Sequence, residues 1–354
     1  MLPKQITPNN NFIGRSSELG RLHQIGQSNE ASILIVYGRR RVGKTELLEQ
    51  AFRDRHVLKF EGIEGQSQDK QLAQATAQLA EYAQDPLLTK LVFKTWTEFF
   101  KLLSRYIKKD SWTVYFEELQ WLANYGSDFV AELKSVWDNE WRHNPELLVI
   151  LCGSSPSFMI QQVLHSKALY NRSQHEMPLK EFSLIESQLF LKKRSPSEVL
   201  DAHLMVGGIP EYLKWVRKGS SVFLGFCENS FKSGSFFSHE FERIFTSSLA
   251  GNKNYKEIVE FLATRRFATR NEILKHLKTE SGGVLTTLLN DLELCGLITR
   301  YTPFNLAENS LLTRYAISDV YLQLYFKFIH PIRKDIDSGV FDKNPVSALN
   351  RDSL

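Results

Sequence analysis

Apolar, strand-like runs recur along the first half of the chain: SILIVYG at 32–38, HVLKFEG at 56–62, WTVYFEE at 112–118, LLVILCGSS at 147–155 and a shorter EMPLK at 176–180. Between them lie helical patterns. Strands that alternate with helices predict a mostly parallel sheet covered on both faces. One of the intervening helices is plain in WTEFFKLLSRYIKK, where Trp96, Phe99, Phe100, Leu103, Tyr106 and Ile107 fall on one face at helical spacing.

From about residue 181 the strand signal fades. EFSLIESQLFLKKRSPSEVLDAHLMVGGIPEYLKWVRKG reads as two or three short helices broken at Gly207, Gly208 and Pro210, a helical unit over residues 182–220. FCENSFKSGSFFSHEFERIF reads as a helical linker within 221–251 that could carry motion of that unit. From Tyr255 onward come the helices YKEIVEFLAT, TRNEILKHLK and GVLTTLLNDLELCG, then strand-like LITRYTPF and LLTRYAIS. Three helices followed by a two-stranded ribbon over 252–320 form a winged-helix pattern. In the remaining 321–354, Tyr321, Tyr325, Phe326 and Phe328 stand at helical spacing and read as packing, against this domain or a partner. No internal repeat or low-complexity tract stands out. The fold class expected is therefore α/β: a five-stranded parallel sheet over 11–181 with a helical lid, followed by an α+β winged-helix domain.

Composition changes this picture little. A chain of 354 residues with 42% hydrophobic and 24% charged residues has the proportions of a globular protein of two or three domains. A net charge of +4 is small for this length and does not by itself imply nucleic acid. Cys152, Cys227 and Cys295 are far apart and in apolar surroundings, as expected of buried packing residues in a reducing compartment. MLPKQITPNN lacks an apolar segment and no run approaches the roughly 18 apolar residues of a membrane span, so a cytoplasmic address is expected. None of the nine histidines falls in HExxH or in a close Cys/His pairing, so no protein-built zinc site is indicated.

The chemistry enters with VYGRRRVGKTELL. Gly38, Gly43, Lys44 and Thr45 complete G-x-x-x-x-G-K-[ST] after an apolar strand and before a helix, the context a phosphate-binding P-loop requires. Glycines let backbone N–H groups converge on phosphate oxygens, and the helix N-terminus adds positive potential. Lys44 then reaches the β and γ phosphates and the Thr45 hydroxyl ligates Mg²⁺. The expected nucleotide-binding stretch runs through Gly38, Arg39, Arg40, Arg41, Val42, Gly43, Lys44, Thr45 and Glu46. The bland alternative is a glycine turn before a core helix.

Such a site also needs an acidic pair at the end of a neighbouring buried strand, one acid for the metal and one to polarise the attacking water. TVYFEELQWL supplies Glu117 and Glu118. Their alternative is the first turn of a following helix, where acids suit the dipole. The metal-side position is normally Asp. Glu117 is one methylene longer, so binding is expected to survive better than turnover. At the end of the next strand, in CGSSPSFM, Ser154 or Ser155 is placed to hydrogen-bond the γ-phosphate or the attacking water, or else to cap the next helix. The stretch is not a G-x-S-x-G elbow, so a serine hydrolase is not supported.

With these residues assembled, the chain resembles a known family. FIGRSSELGRL, GRRRVGKT, EELQWL, LCGSSPSFM, LYNRSQHEMPLKEFSL, GGIPEYL and YAISDVYLQLYFKF occur in the order seen in prokaryotic AAA+-type ATPases of the archaeal and bacterial "ATPase domain 2" group, close to the signal-transducing STAND class. The resemblance covers roughly residues 11 to 330. It implies that Phe12, Ile13, Gly14 and Arg15 form the entry box over the adenine, where the alternative is a simple N-capped helix in SSELGRL. It implies that Gly208, Ile209 and Pro210 form the lid element touching base or ribose, where the alternative is an ordinary interhelical turn. It implies that Arg172 is an arginine finger for a neighbouring subunit's γ-phosphate, where the alternative is a surface arginine. ATP over GTP follows from the resemblance, no N-K-x-D motif being visible. The resemblance departs at Glu117, where relatives carry Asp, and at the end of the chain. Many relatives continue into a PD-(D/E)XK nuclease-like domain, for which NPVSALNRDSL leaves no room, so this member lacks it or the chain is a fragment.

Two functions are then expected from different classes. One is an ATP- and Mg²⁺-dependent enzyme or switch with Lys44, Glu118, Ser154 and Arg172 in catalytic roles, Thr45 and Glu117 at the metal, and a winged helix that reports the bound state. The other is a nucleotide-stabilised module with little hydrolysis that recruits a protein or self-associates. DNA is not favoured, since Glu280 to Thr299 carries no Lys or Arg while Asp291 and Glu293 are present. A basic cluster does lie earlier, in Arg265, Arg266, Arg270, Lys275 and Lys278, with Arg300 and Arg314 on the wing.

Overall fold

Five strands form where the apolar runs predict them: Ser32–Tyr37 (β1), His56–Glu61 (β2), Trp112–Glu117 (β3), Leu148–Gly153 (β4) and Ser173–Pro178 (β5). The computed structural model describes residues 9–249, 252–278, 282–304 and 312–349. The start of MLPKQITPNN, the end of the linker at 250–251, Glu280, Leu311 of the second ribbon strand and the last residues 350–354 lie outside these. The fifth strand begins three residues before EMPLK, in the polar SQH that its edge position tolerates.

The sheet order is β2-β3-β4-β1-β5 and every pairing is parallel. The central strands β1 and β4 are buried along their whole length, which is why their sequences show no alternation. The register pairs Tyr37 with Gly153 and Glu61 with Glu117, so the chemistry-bearing loops leave from one carboxyl edge. In α/β sheets ligands bind outside that edge. Helices 68–83, 96–103 and 128–139 contribute to the core with the aromatic stripe Trp96, Phe99, Phe100 and Leu103; Ile107 is buried and Tyr106 only partly so.

By their contacts the residues fall into two compact units. One comprises residues up to Gly38 and Gly43–Leu179, the other Arg39–Val42 and the chain from Lys180 onward. This differs from the expected partition in two ways. The middle of the phosphate loop belongs with the second unit. The segments read separately as lid, linker, winged helix and tail also share one apolar core, which runs from Phe182 and Leu213 through Phe226, Phe237, Ile258 and Leu292 to Tyr321, Ile329 and Leu349.

Within that unit the lid segment forms the helices Leu184–Phe190, Pro196–Val206 and Pro210–Val216. Serine capping boxes start the first two and Pro210 the third. The linker is two helices, Val222–Ser230 and Phe236–Ser248. Helices Lys253–Ala263, Arg270–Leu277 and Gly282–Leu294 are followed by Ile298–Tyr301 (β7) and Arg314–Ile317 (β8); a strand the sequence reading lacked, Ala268–Thr269 (β6), completes an antiparallel sheet of order β6-β8-β7. Among the described residues no helix is long and apolar enough to cross a membrane.

Candidate functional site

The loop after β1 turns through two left-handed residues, Arg41 at φ 72° and Gly43 at φ 90°. Gly43 meets no penalty there, whereas Arg41 holds a conformation that non-glycine residues adopt only when their surroundings impose it. Gly43 is also the N-cap of the helix Lys44–Ala51 and makes no side-chain cap, which leaves the helix N-terminus suited to an anion. The Lys44 ammonium is buried and donates to the Gly38 carbonyl at 2.9 Å. It therefore sits over the loop it is expected to serve.

Glu117 ends β3 with its side chain only 9% exposed. One carboxylate oxygen accepts from the Thr45 hydroxyl, and the other is ion-paired with Lys59 of β2. Lys59 also reaches Glu49 at 3.3 Å. Burial is the largest influence and works against the Lys59 ammonium, but the charge of Glu117 and its hydrogen bond, together with the charges of Glu49 and Glu61, carry the net shift upward, so the lysine stays charged. Glu61, opposite Glu117 in the register, has its pKa raised by burial and then by the Glu117 charge.

Glu118 leaves the strand at φ 51° and stands at the N-cap of the short helix Leu119–Leu122 without capping it. The helix-turn alternative for the two glutamates is thus not realised. The Ser154 hydroxyl donates to Glu118 Oε2 at 2.5 Å and the Gln120 amide donates to the same oxygen at 2.8 Å. Gln120 also donates to Ser154 Oγ at 3.0 Å and accepts from the Ser154 backbone N–H at 3.3 Å. Both Gln120 and Ser154 are buried, so this triangle fixes the Glu118 carboxylate. Ser154 acts on Glu118 rather than as a helix cap, and Ser155 does not cap the helix Pro156–Phe158 with its side chain. Gly153 leaves the room: a Cβ there would lie 2.5 Å from the Met159 sulfur and 3.0 Å from Gln120 Oε1.

Two hydroxyl and carboxylate oxygens, from Thr45 and Glu117, form the hard donor set that Mg²⁺ prefers. Among the described residues no group of three His, Cys, Asp or Glu side chains is arranged to hold a metal ion. The donor set therefore fits an ion that takes its remaining ligands from phosphate and water. Burial pushes the Cys152 thiol up to about 12, and Cys152, like Cys227 and Cys295, is a buried free thiol.

Two of the loop arginines expected to serve nucleotide make ion pairs within the second unit. Arg39 is ion-paired with Asp319 and reaches Glu181 at 3.0 Å. Burial opposes its charge, and Asp319, Tyr212 and Glu181 together more than compensate, so the net shift is upward. Arg41 is ion-paired with the buried Glu240 and stacks over Phe236 at 4.7 Å, while Tyr212 donates to Glu240 at 2.7 Å. Arg40 is exposed and Val42 buried. Glu46 accepts from Asn9.

In the N-terminal box Gly14 and Arg15 are both left-handed, at φ 74° and 60°. Arg15 is the N-cap of the helix Ser16–Gly26 and makes no side-chain cap, so the simple capped-helix alternative does not hold. Its guanidinium is buried and reaches Glu18 at 3.3 Å. The helix packs against Lys44–Ala51, and Phe12 and Ile13 just before it are part-buried. Gly208, Ile209 and Pro210 lie in the second unit, in a tight interhelical turn where Phe182 donates to the Gly208 carbonyl at 2.8 Å and Gly208 donates to Glu181 at 3.3 Å. Arg172 stands just before β5, whose first residue pairs with Ile33 near the start of β1, so it lies at the amino edge of the sheet, away from Gly38. It makes a two-pronged pair with Asp138 at 2.6 and 2.8 Å. The structure does not bring it to this chain's own phosphate loop.

Sequence reasoning missed Lys59 and Gln120. Lys59 had a signal, a lysine between the apolar Leu58 and Phe60, two residues from the end of the strand. Gln120 had none, because only the fold shows that it is buried against Glu118 and Ser154.

The family model described as an ATPase domain predominantly from Archaea matches residues 12–216. An uncharacterized protein of Methanocaldococcus jannaschii is 26% identical over 341 residues, 95% of this chain and 73% of that protein. Among solved structures, a Walker-type ATPase of Pyrococcus abyssi superposes with a TM-score of 0.64 at 19% identity, covering 92% of this chain and 99% of that one. The ORC2 protein of Aeropyrum pernix in ADPNP–ADP complexes gives 0.59 at 13% identity, covering 95% and 98%. At these identities the solved structures speak for the fold alone.

Proposed function

The chain belongs to the family of ATPase domains found predominantly in Archaea, and from that premise we propose that it binds ATP with Mg²⁺ at the carboxyl edge of its parallel sheet and hydrolyses it to switch conformation. The observation that carries hydrolysis is the Glu118 carboxylate held by Ser154 and Gln120 beside the Thr45–Glu117 pair. A neighbour by fold, the ORC2 protein of Aeropyrum pernix, was solved in ADPNP–ADP complexes, and by analogy of fold we take ATP as the nucleotide.

In this reading Lys44 exchanges the Gly38 carbonyl for the β and γ phosphates, and Thr45 and Glu117 hold the metal side. Bound Mg²⁺ supplies neutralisation of phosphate charge. Glu118 accepts the proton of the water that attacks the γ-phosphorus, and Ser154 and Gln120 keep its carboxylate aimed while ADP leaves. Phe12, Ile13, Gly14, Arg15 and Pro210 are assigned to the nucleoside. Steady-state Mg²⁺-dependent ATP turnover, run beside Lys44→Ala and Glu118→Gln, tests the reading. Turnover is expected to disappear in both variants while Glu118→Gln still binds ATP. Native turnover no higher than the Lys44→Ala background, with nucleotide bound tightly, would instead leave a nucleotide-held scaffold.

We read residues 252–320 as a winged helix that reports the nucleotide state to a protein rather than to DNA. Its third helix offers no cation between Gly283 and Thr299, and Asp291 is buried against the Tyr255 hydroxyl at 2.5 Å. Several of the nearby cations are engaged within the protein: Arg265 stacks over Phe261 at 3.5 Å, Arg314 over Phe267 at 4.1 Å, and Arg300 pairs with Glu293 at 3.2 Å. DNA binding that weakens steeply with salt would overturn this assignment.

A further inference from the structure

The carboxyl edge of β2 and β3 concentrates acids. Glu61 and Glu117 face each other in the register, Glu118 follows, and Glu49 approaches from the helix after the phosphate loop. Without a counter-charge such an edge would attract a divalent cation whether or not nucleotide were present. One cation is built into it. The Lys59 ammonium is ion-paired with Glu117 on the oxygen that Thr45 does not use, reaches Glu49 at 3.3 Å, and lies 5.5 Å from the centre of the Tyr115 ring. Its side chain is 24% exposed, so water screens it only partly.

We propose that Lys59 is the resident cation of the metal site, holding Glu117 in the empty state and making Mg²⁺ entry conditional on the nucleotide's phosphates. The physical reason is a balance of charge. With Lys59 in place the Glu117 carboxylate is already neutralised, and two protein oxygens do not repay dehydration of the ion. When nucleotide arrives, its phosphates add the negative charge and the oxygen ligands that the protein withholds. The longer side chain of Glu117 belongs to the same arrangement, since it lets one oxygen rest on Lys59 of the adjacent strand while the other stays with Thr45. Lys59 is thus a positioning residue that acts through Glu117.

This rests on the assignment of Thr45 and Glu117 to the metal side, and the two ideas fail differently. The probe is Mn²⁺, whose binding to the full chain is followed by electron paramagnetic resonance of the free ion, with and without a non-hydrolysable ATP analogue. The native protein is expected to bind Mn²⁺ well only with the analogue. Lys59→Met is expected to bind Mn²⁺ without nucleotide about tenfold more tightly than the native chain. Lys59→Gln, which keeps a donor to Glu117 without the charge, is expected to do the same and stands in if the methionine variant does not fold. Lys59→Arg keeps the native behaviour. If both neutral variants bind nucleotide-free Mn²⁺ no more tightly than the native chain, the conditional role of Lys59 is wrong. If the native chain binds no Mn²⁺ even with the analogue, the metal-side assignment fails and the proposal with it.

Discussion

At the scale of single residues, the site is a set of carboxylates whose freedom has been removed. Glu118 has one oxygen occupied by two donors, and the donor without a sequence signal, Gln120, is the more telling. Gln120→Leu keeps the volume and removes the amide, so ATP turnover is expected to fall about tenfold or more while nucleotide affinity stays within about twofold. An equal loss of affinity would show that Gln120 supports the loop rather than the base. Arg172 leads to the opposite expectation. Its pairing with Asp138 holds that carboxyl below the usual range, the hydrogen bond from Arg172 being the main cause. In an isolated chain Arg172→Ala is therefore expected to leave nucleotide affinity unchanged. A fall in turnover that appears only at concentrations where the protein self-associates would give it the role of a finger in trans.

Among the elements, the turn between the helices Pro196–Val206 and Pro210–Val216 shows how a motif of unclear meaning acquires one. A Cβ on Gly208 would lie 2.0 Å from the Phe182 carbonyl oxygen and 2.9 Å from its carbon. No rotamer change relieves a clash with backbone. Gly208→Ala is expected to cost about 2 kcal/mol and to lower the thermal midpoint, as measured by circular dichroism. A variant as stable as the native chain would mean that residues 181–182 move freely from the turn. The sheet teaches a related lesson. Its central strands were legible because burial on both faces demands unbroken apolar runs, while β5 was placed late because half of it is polar.

For the whole molecule, the residues from Phe182 to Leu349 share one apolar core, so the second unit is expected to unfold as one cooperative body. Hydrogen exchange in urea would show protected amides in Pro210–Val216 and Lys253–Ala263 opening together; separate transitions would restore the division into lid and winged helix. The same unit holds a buried charge pair between Arg39 and Asp319, the latter also capping the helix Val320–Leu324 through the Leu322 N–H at 2.6 Å. Arg39→Met leaves that carboxylate uncompensated and is expected to cost about 3 kcal/mol in urea denaturation. Arg39→Met combined with Asp319→Asn is expected to cost less, because no charge is then left buried alone.

The sequence by itself determined the strand–loop–helix around Gly38–Thr45, the acidic pair at the end of β3, and the helices and the two ribbon strands of the second half, because local spacing and strand burial leave their marks on neighbouring residues. Only the tertiary structure decided what those groups touch. Lys59 meets Glu117 because β2 and β3 are adjacent and in register. Gln120 meets Ser154 across 34 positions of chain, and Arg39 meets Asp319 across 280. Pairings at such separations depend on strand order and on a shared core, which no window of sequence contains. For that reason the loop after β1 and the carboxylates at the end of β3 were readable in advance, and the side chains that pair with them were not.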